Sequence, residues 1–132
     1  MIATGVVTTL AGTAGSIGSS DGTGAAARFN YPEGVASDGT DVFVADRGNN
    51  TIRRIVISTR VATTLAGSAG LTGSTDGTGP GARFQYTMGP ATDGTNVFVT
   101  DKGNNKVRQI VIATGVVTTL AGTAGMPGST DG

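Results

Sequence analysis

Ile2-Ala3-Thr4-Gly5-Val6-Val7-Thr8-Thr9-Leu10-Ala11-Gly12 is written three times in this chain. It returns as Ile57-Ser58-Thr59-Arg60-Val61-Ala62-Thr63-Thr64-Leu65-Ala66-Gly67 and as Ile112-Ala113-Thr114-Gly115-Val116-Val117-Thr118-Thr119-Leu120-Ala121-Gly122. The spacing is 55 residues both times, and residues 1–55 laid ungapped on 56–110 agree at 34 positions. Residues 111–132 match 1–22 at 18 of 22 positions. The 132 residues therefore divide into a partial repeat at 1–22 (an outer strand and the start of a connector), a first full unit at 23–77, and a second at 78–132 that ends in a connector. A fixed period of this length is the mark of a repeat architecture.

Inside each copy the apolar spacing is that of strands, cut by Gly, Asp and Asn. Gly34–Ser37 reads as a short strand, and Asp38-Gly39-Thr40 as a tight turn. Asp41–Asp46 is mostly apolar and reads as a strand covered on both faces. Gly48-Asn49-Asn50 turns the chain, because Gly and Asn take positive φ at little cost. Thr51–Ile57 and Val61–Ala66 follow as the third and fourth strands, and a Gly/Ser/Thr-rich connector fills 67–87. Four short strands per repeat give an all-β fold of propeller blades, each a four-stranded antiparallel sheet hidden by its neighbours. A parallel β-solenoid fits less well, because its rungs are shorter and lack such hairpin turns.

The run Ala27-Arg28-Phe29-Asn30-Tyr31-Pro32-Glu33-Gly34-Val35-Ala36, followed by Val42-Phe43-Val44-Ala45-Asp46-Arg47-Gly48-Asn49-Asn50-Thr51-Ile52-Arg53, resembles an NHL repeat. The second copy keeps Ala82-Arg83-Phe84, Asp101, Gly103-Asn104-Asn105 and Val107-Arg108, but in Thr87-Met88-Gly89-Pro90 the proline has moved from before the glycine to after it. The resemblance implies an NHL-type β-propeller. It does not choose among the lyases, hydrolase-like enzymes, sensor domains and RNA-binding modules built on that fold.

Composition narrows the chemistry. There is no Cys, His or Trp, nine basic side chains balance nine acidic ones, and 23 residues are Gly. Disulfide frameworks, thiolate or imidazole metal sites and Ser-His-Asp triads are excluded. Electrical neutrality argues against nucleic acid as a partner, and no apolar run approaches the ~20 residues of a membrane-spanning helix. Met1–Leu10 lack basic residues and do not read as a signal peptide. Lack of Cys is compatible with an exported bacterial protein and leaves location open.

Asp46 with Arg53, and Asp101 with Arg108, face each other across the turn carrying Asn49 or Asn104. A motif written in both copies reads as a structural, partly exposed closure worth ~0–1 kcal/mol, and no catalytic residue is assigned. Asp21-Gly22-Thr23 and Asp76-Gly77-Thr78 read as turns that organise the connectors, although clustered oxygens also raise Ca²⁺. Phe29 and Phe84 are expected to plug the space between blades, while Arg28 and Arg83 line a channel mouth or bond to carbonyls. Ligand contacts are expected where the copies differ near solvent, at Asn30/Gln85, Pro32/Thr87, Glu33/Met88, Val35/Pro90 and Arg47/Lys102. Glu33 is the sole Glu of the chain. Tyr31 and Tyr86 offer surfaces for a sugar.

Two blades leave two bare faces, more than a monomer tolerates. The chain is therefore expected to pair with itself: three chains giving a six-bladed ring, or four giving eight blades. One terminal outer strand is surplus in such a ring, free to swap onto a neighbour or to hang loose, unless the chain is a piece of a longer array. The leading functional reading is a non-catalytic binding scaffold without metal or cofactor, able to take a protein or small molecule on its ring face. A lyase- or lactonase-like enzyme would need Ca²⁺ held by Asn30, Glu33 or Asp38, and RNA binding would need Arg28, Arg47, Arg53, Arg54 and Lys102 to cluster.

Overall fold

The computed structural model describes residues 2–132; of the expected partial repeat at 1–22, Met1 lies outside them. Two antiparallel sheets form. The first contains β1 (Gly22–Thr23), β2 (Pro32–Ser37), β3 (Asp41–Asp46), β4 (Thr51–Val56) and β5 (Val61–Ala66), in the order β1-β5-β4-β3-β2. The second repeats it with β6 (Gly77–Thr78), β7 (Thr87–Thr92), β8 (Asn96–Asp101), β9 (Lys106–Val111) and β10 (Val116–Gly122), in the order β6-β10-β9-β8-β7. We call these sheets blade 1 and blade 2.

The local rules hold well. The Asp38 carboxylate accepts the N–H groups of Thr40 and Asp41, closing the turn before β3, and Asp93 does the same for Thr95 and Asn96 before β8. These bonds to backbone amides hold both carboxyls below their ordinary range. A single 3-10 turn after β3 ends at Asn50 with φ 55°, and its counterpart after β8 ends at Asn105 with φ 57°. Asn tolerates this left-handed conformation better than other side chains do.

Three features depart from the sequence reading. Each sheet has five strands, because the connector returns along β5 or β10 and adds a two-residue strand: Gly22 opposite Ala62, and Gly77 opposite Val117. The displaced proline of the second copy is accommodated within β7. The ladder is interrupted in both inner strands, between Pro32 and Val35 in blade 1 and between Met88 and Ala91 in blade 2. A residue without an N–H does least harm where the ladder is already broken. Finally, residues 7–11 lie outside any strand, although their copies are β5 and β10. Those copies pair with β4 and β9, whereas among the described residues no strand pairs with residues 7–11.

The main core lies between the blades. Phe43, Ala45, Ile52 and Ala66 of blade 1 meet Phe84, Val97, Val99 and Ile110 of blade 2, all buried. Phe84 fills the gap between sheets, as its position in the repeat predicts. A smaller core on the far side of blade 1 gathers Ala27, Val44, Ile55 and Ala62, with Leu10, Phe29 and Val42 partly buried against it.

Candidate functional site

The most polar constellation lies where each connector meets its blade. Asp46, at the end of β3, is fully buried and so is Arg53 on β4. The carboxylate accepts Arg53 Nη1 at 3.0 Å, the Asn49 side-chain amide at 2.7 Å and the Asn30 backbone N–H at 2.8 Å. Arg53 also donates to the carbonyls of Arg28 and Ser20 and to Asp21, while its guanidinium stacks 4.8 Å over Phe29. Blade 2 copies this with Asp101, Arg108, Asn104, the Gln85 N–H and Asp76, and Arg108 lies 4.9 Å over Phe84.

The expectation of a partly exposed ion pair is thereby corrected. The connector folds over the pair and dries it, which raises what is at stake. Removing one partner of a buried pair costs about 3–5 kcal/mol, because the other charge is left uncompensated. Sequence reasoning found the pair but missed its second carboxylate. Asp21 and Asp76 do not make the expected connector turns; each receives an arginine and a β-strand hydroxyl, from Thr64 and Thr119 respectively. Burial pushes the Asp76 carboxyl up, but the Thr119 hydroxyl and the Arg108 guanidinium outweigh it and leave it below its ordinary value.

The expected ligand residues separate into three groups. Arg28 and Arg83 donate to connector carbonyls, of Ala25 and Ala27 and of Pro80 and Ala82. Asn30 and Gln85 lie beneath the turn glycines: their carbonyls accept the N–H groups of Gly48 and Gly103 at 2.7 and 2.8 Å. A Cβ on either glycine would strike them, 2.5 Å from Asn30 Cγ and 2.6 Å from Gln85 Cγ. Glu33 reaches solvent and pairs with Arg47 at 2.6 Å. Arg47 also lies 5.3 Å over the Tyr86 ring, and with Gly48, Tyr31 and Tyr86 it borders a recess of about 310 Å³. The cationic cluster considered for RNA is not assembled, because Arg53 is buried, Arg54 pairs with Asp41 and Arg47 with Glu33.

Met88 lines a concavity of about 690 Å³ on the outer face of blade 2 with Gly89, Thr100, Asn105, Val107, Ala121 and Gly122. The residues of blade 1 one repeat earlier are Glu33, Gly34, Ala45, Asn50, Ile52, Ala66 and Gly67, and blade 2 covers that face. There Asn50 Oδ1 accepts the Tyr86 N–H at 3.0 Å, and Phe84 and Pro90 approach Gly67 and Gly34. The opposite face of blade 1 is open too, over Leu10, Phe29, Pro32, Val35, Val42 and Val44, and encloses about 330 Å³.

The family model of the NHL repeat matches residues 29–55. The match is confined to this one stretch. The copy 55 residues later folds alike, so the chain presents two propeller-like blades, the first of which is similar to an NHL repeat. No curated protein matches the sequence. Among solved structures, a structural genomics protein of unknown function from Bacteroides thetaiotaomicron superposes with a TM-score of 0.70 at 24% identity, over 75% of this chain and 26% of its own. An auxiliary nutrient binding protein from the same organism superposes with a TM-score of 0.56 at 21% identity, over 64% of this chain and 23% of its own. The chain spans about a quarter of the length of these structures, and at such identities the likeness concerns the fold. Among the described residues no group of acidic side chains is arranged to hold a metal ion, and no helix is long and apolar enough to cross a membrane.

Proposed function

We propose that the chain is a non-catalytic scaffold that assembles with itself, the outer face of blade 2 in one copy receiving the open face of blade 1 in the next. The observation that carries this is the pairing of faces within the chain. Blade 1 presents to blade 2 the surface that blade 2 leaves bare, and blade 2 presents to blade 1 the surface that blade 1 leaves bare on its other side. Applying one head-to-tail contact repeatedly gives a ring when its rotation closes and an open filament when it does not. Three chains would give six blades, the number common in NHL propellers, and four chains would give eight. The buried arginine clamps support a structural rather than a catalytic use of the charged residues, because both copies spend them alike. The ring face, with Tyr31, Glu33, Arg47 and Tyr86 exposed or half-buried, is where a protein or small-molecule ligand would bind.

A second reading has support as well: the matched structures are roughly three times the length of this chain, so the further blades would come from the same polypeptide. Native mass spectrometry of the 132-residue chain tests the first reading. The expected particle is three times 13.0 kDa, then four times; a folded species of 13.0 kDa overturns self-assembly.

A further inference from the structure

Residues 2–15 and 112–125 are identical over all 14 positions, yet they sit differently. Val117 lies in β10 and is 1% exposed, whereas Val7, its copy, is 93% exposed and outside any strand. The end of the first segment is nonetheless held as though a strand preceded it. The Gly12 N–H donates to Gly24 O at 3.0 Å, as the Gly67 N–H after β5 donates to Gly79 O at 3.0 Å. Gly12 faces the Phe29 ring as Gly67 faces Phe84. Arg60 donates to the carbonyls of Thr9 and Leu10, and Leu10 packs on blade 1 as Leu65 packs on blade 2. Residues 7–11 thus occupy the place of the fourth strand of a blade that would stand before blade 1.

Self-assembly brings blade 2 of another copy to that place, and its own β10 already fills the position. Two segments of one sequence then claim one strand site and one connector path. The connector decides between them. Residues 12–22 are bound into blade 1, where the Gly18 carbonyl takes Asn49, the Ser20 carbonyl takes Arg53 and the Arg28 N–H, and Asp21 takes Arg53 and Thr64. Residues 123–132 are exposed almost throughout, and the Met126 N–H bonds to Thr123 within the segment itself.

We infer that residues 2–12 of a second copy replace residues 112–122 as the fourth strand of blade 2, pairing with β9 between chains. Because the exchanged sequences are the same, the side chains buried and the ladder formed are equivalent, as in domain swapping. The retained connector contacts break the tie. This exchange rests on the self-assembly proposed above.

Cysteine pairs test it cleanly, since the chain has no Cys. Thr118 lies opposite Gln109 in the β9–β10 ladder, and Thr8 is the copy of Thr118. Directly opposed antiparallel residues fall within disulfide reach, and Thr8, Thr118 and Gln109 all reach solvent. Co-refolding equal amounts of Thr8→Cys and Gln109→Cys and oxidising the assembled particle is expected to link about half of the chains into pairs on a non-reducing gel, the limit set by random co-assembly. The double variant Thr118→Cys/Gln109→Cys is expected to keep both thiols free to alkylation within the same particle. An assembled particle in which Thr118→Cys bridges Gln109→Cys inside each chain, while the mixture stays unlinked, overturns the exchange and leaves self-assembly standing. A 13.0 kDa wild-type particle overturns both.

Discussion

The two blades are near copies that live in different surroundings. Phe84, Val97 and Val99 are sealed in the main core, while Phe29 and Val42 on blade 1 are only partly buried. On the other faces the order reverses: Ile52, Ala66 and Asn50 are buried, whereas Val107 is half-buried and Ala121 and Asn105 are exposed. Burial in this molecule is therefore set by which neighbour stands beside a blade, and only secondarily by the residue. The features that do not depend on a neighbour are the same in both copies: the clamp around Asp46 and Arg53 or Asp101 and Arg108, the left-handed Asn, and the broken inner strand.

Substitutions that read the two blades separately sharpen this contrast. The largest effect is expected at the clamps. Arg53→Met and Arg108→Met should each cost about 3–5 kcal/mol in urea unfolding, through the stranded Asp46 or Asp101, and a large inequality between them would break the equivalence of the blades. Phe84→Ala should cost a similar ~3–5 kcal/mol as a large-to-small core change. Phe29→Ala should cost clearly less in a monomeric sample, and as much as Phe84→Ala once rings form; concentration-dependent melting distinguishes the two states.

The sequence showed much of this arrangement. Asp41–Asp46 and Val61–Ala66 are strands with the bounds their pattern suggests, because alternation and turn residues are local signals that burial reinforces. The Asp46–Arg53 pair was legible from its repetition. Its dryness was not, because the cover comes from Arg28, Phe29 and Ser20, more than twenty residues before Arg53 in the chain. Asp21 and Asp76 were misread for the same reason: a short-range Asx turn and a long-range arginine contact look alike in a string of Gly, Ser and Thr. That each outer blade face stays bare was expected from the count of two blades, but the shape of the concavity beside Met88 was not legible, since Met88 and Glu33 occupy one repeat position and differ in what stands opposite.

Smaller effects follow. Asn50→Gly keeps the backbone conformation but removes the acceptor of the Tyr86 N–H, which should cost about 1–3 kcal/mol. Asn105→Gly should be close to silent in a monomer and match Asn50→Gly in a ring, as urea midpoints will show. Asp76 contributes to acid stability with a definite sign. Its folded carboxyl lies below the ordinary 3.8, so its share is full above that pH and is lost as pH falls through the lower folded value. Asp76→Asn should flatten the acid limb of the stability curve there. Glu33→Gln, which breaks a half-exposed pair with Arg47, should change stability by ~0–1 kcal/mol and leaves the blades otherwise equal.

The broken ladder of the inner strands has an evolutionary consequence. Pro32 opens its strand opposite Asp46, at the flank of the interruption, and Pro90 stands inside it, so the two prolines occupy different positions of the same strand where backbone pairing gives way. Duplicated units can therefore accumulate change along that strand while the clamp and the β-turns hold each new copy to the parental shape. A gene that lengthens by repeating itself gains its variety at the seam where selection on folding is weakest.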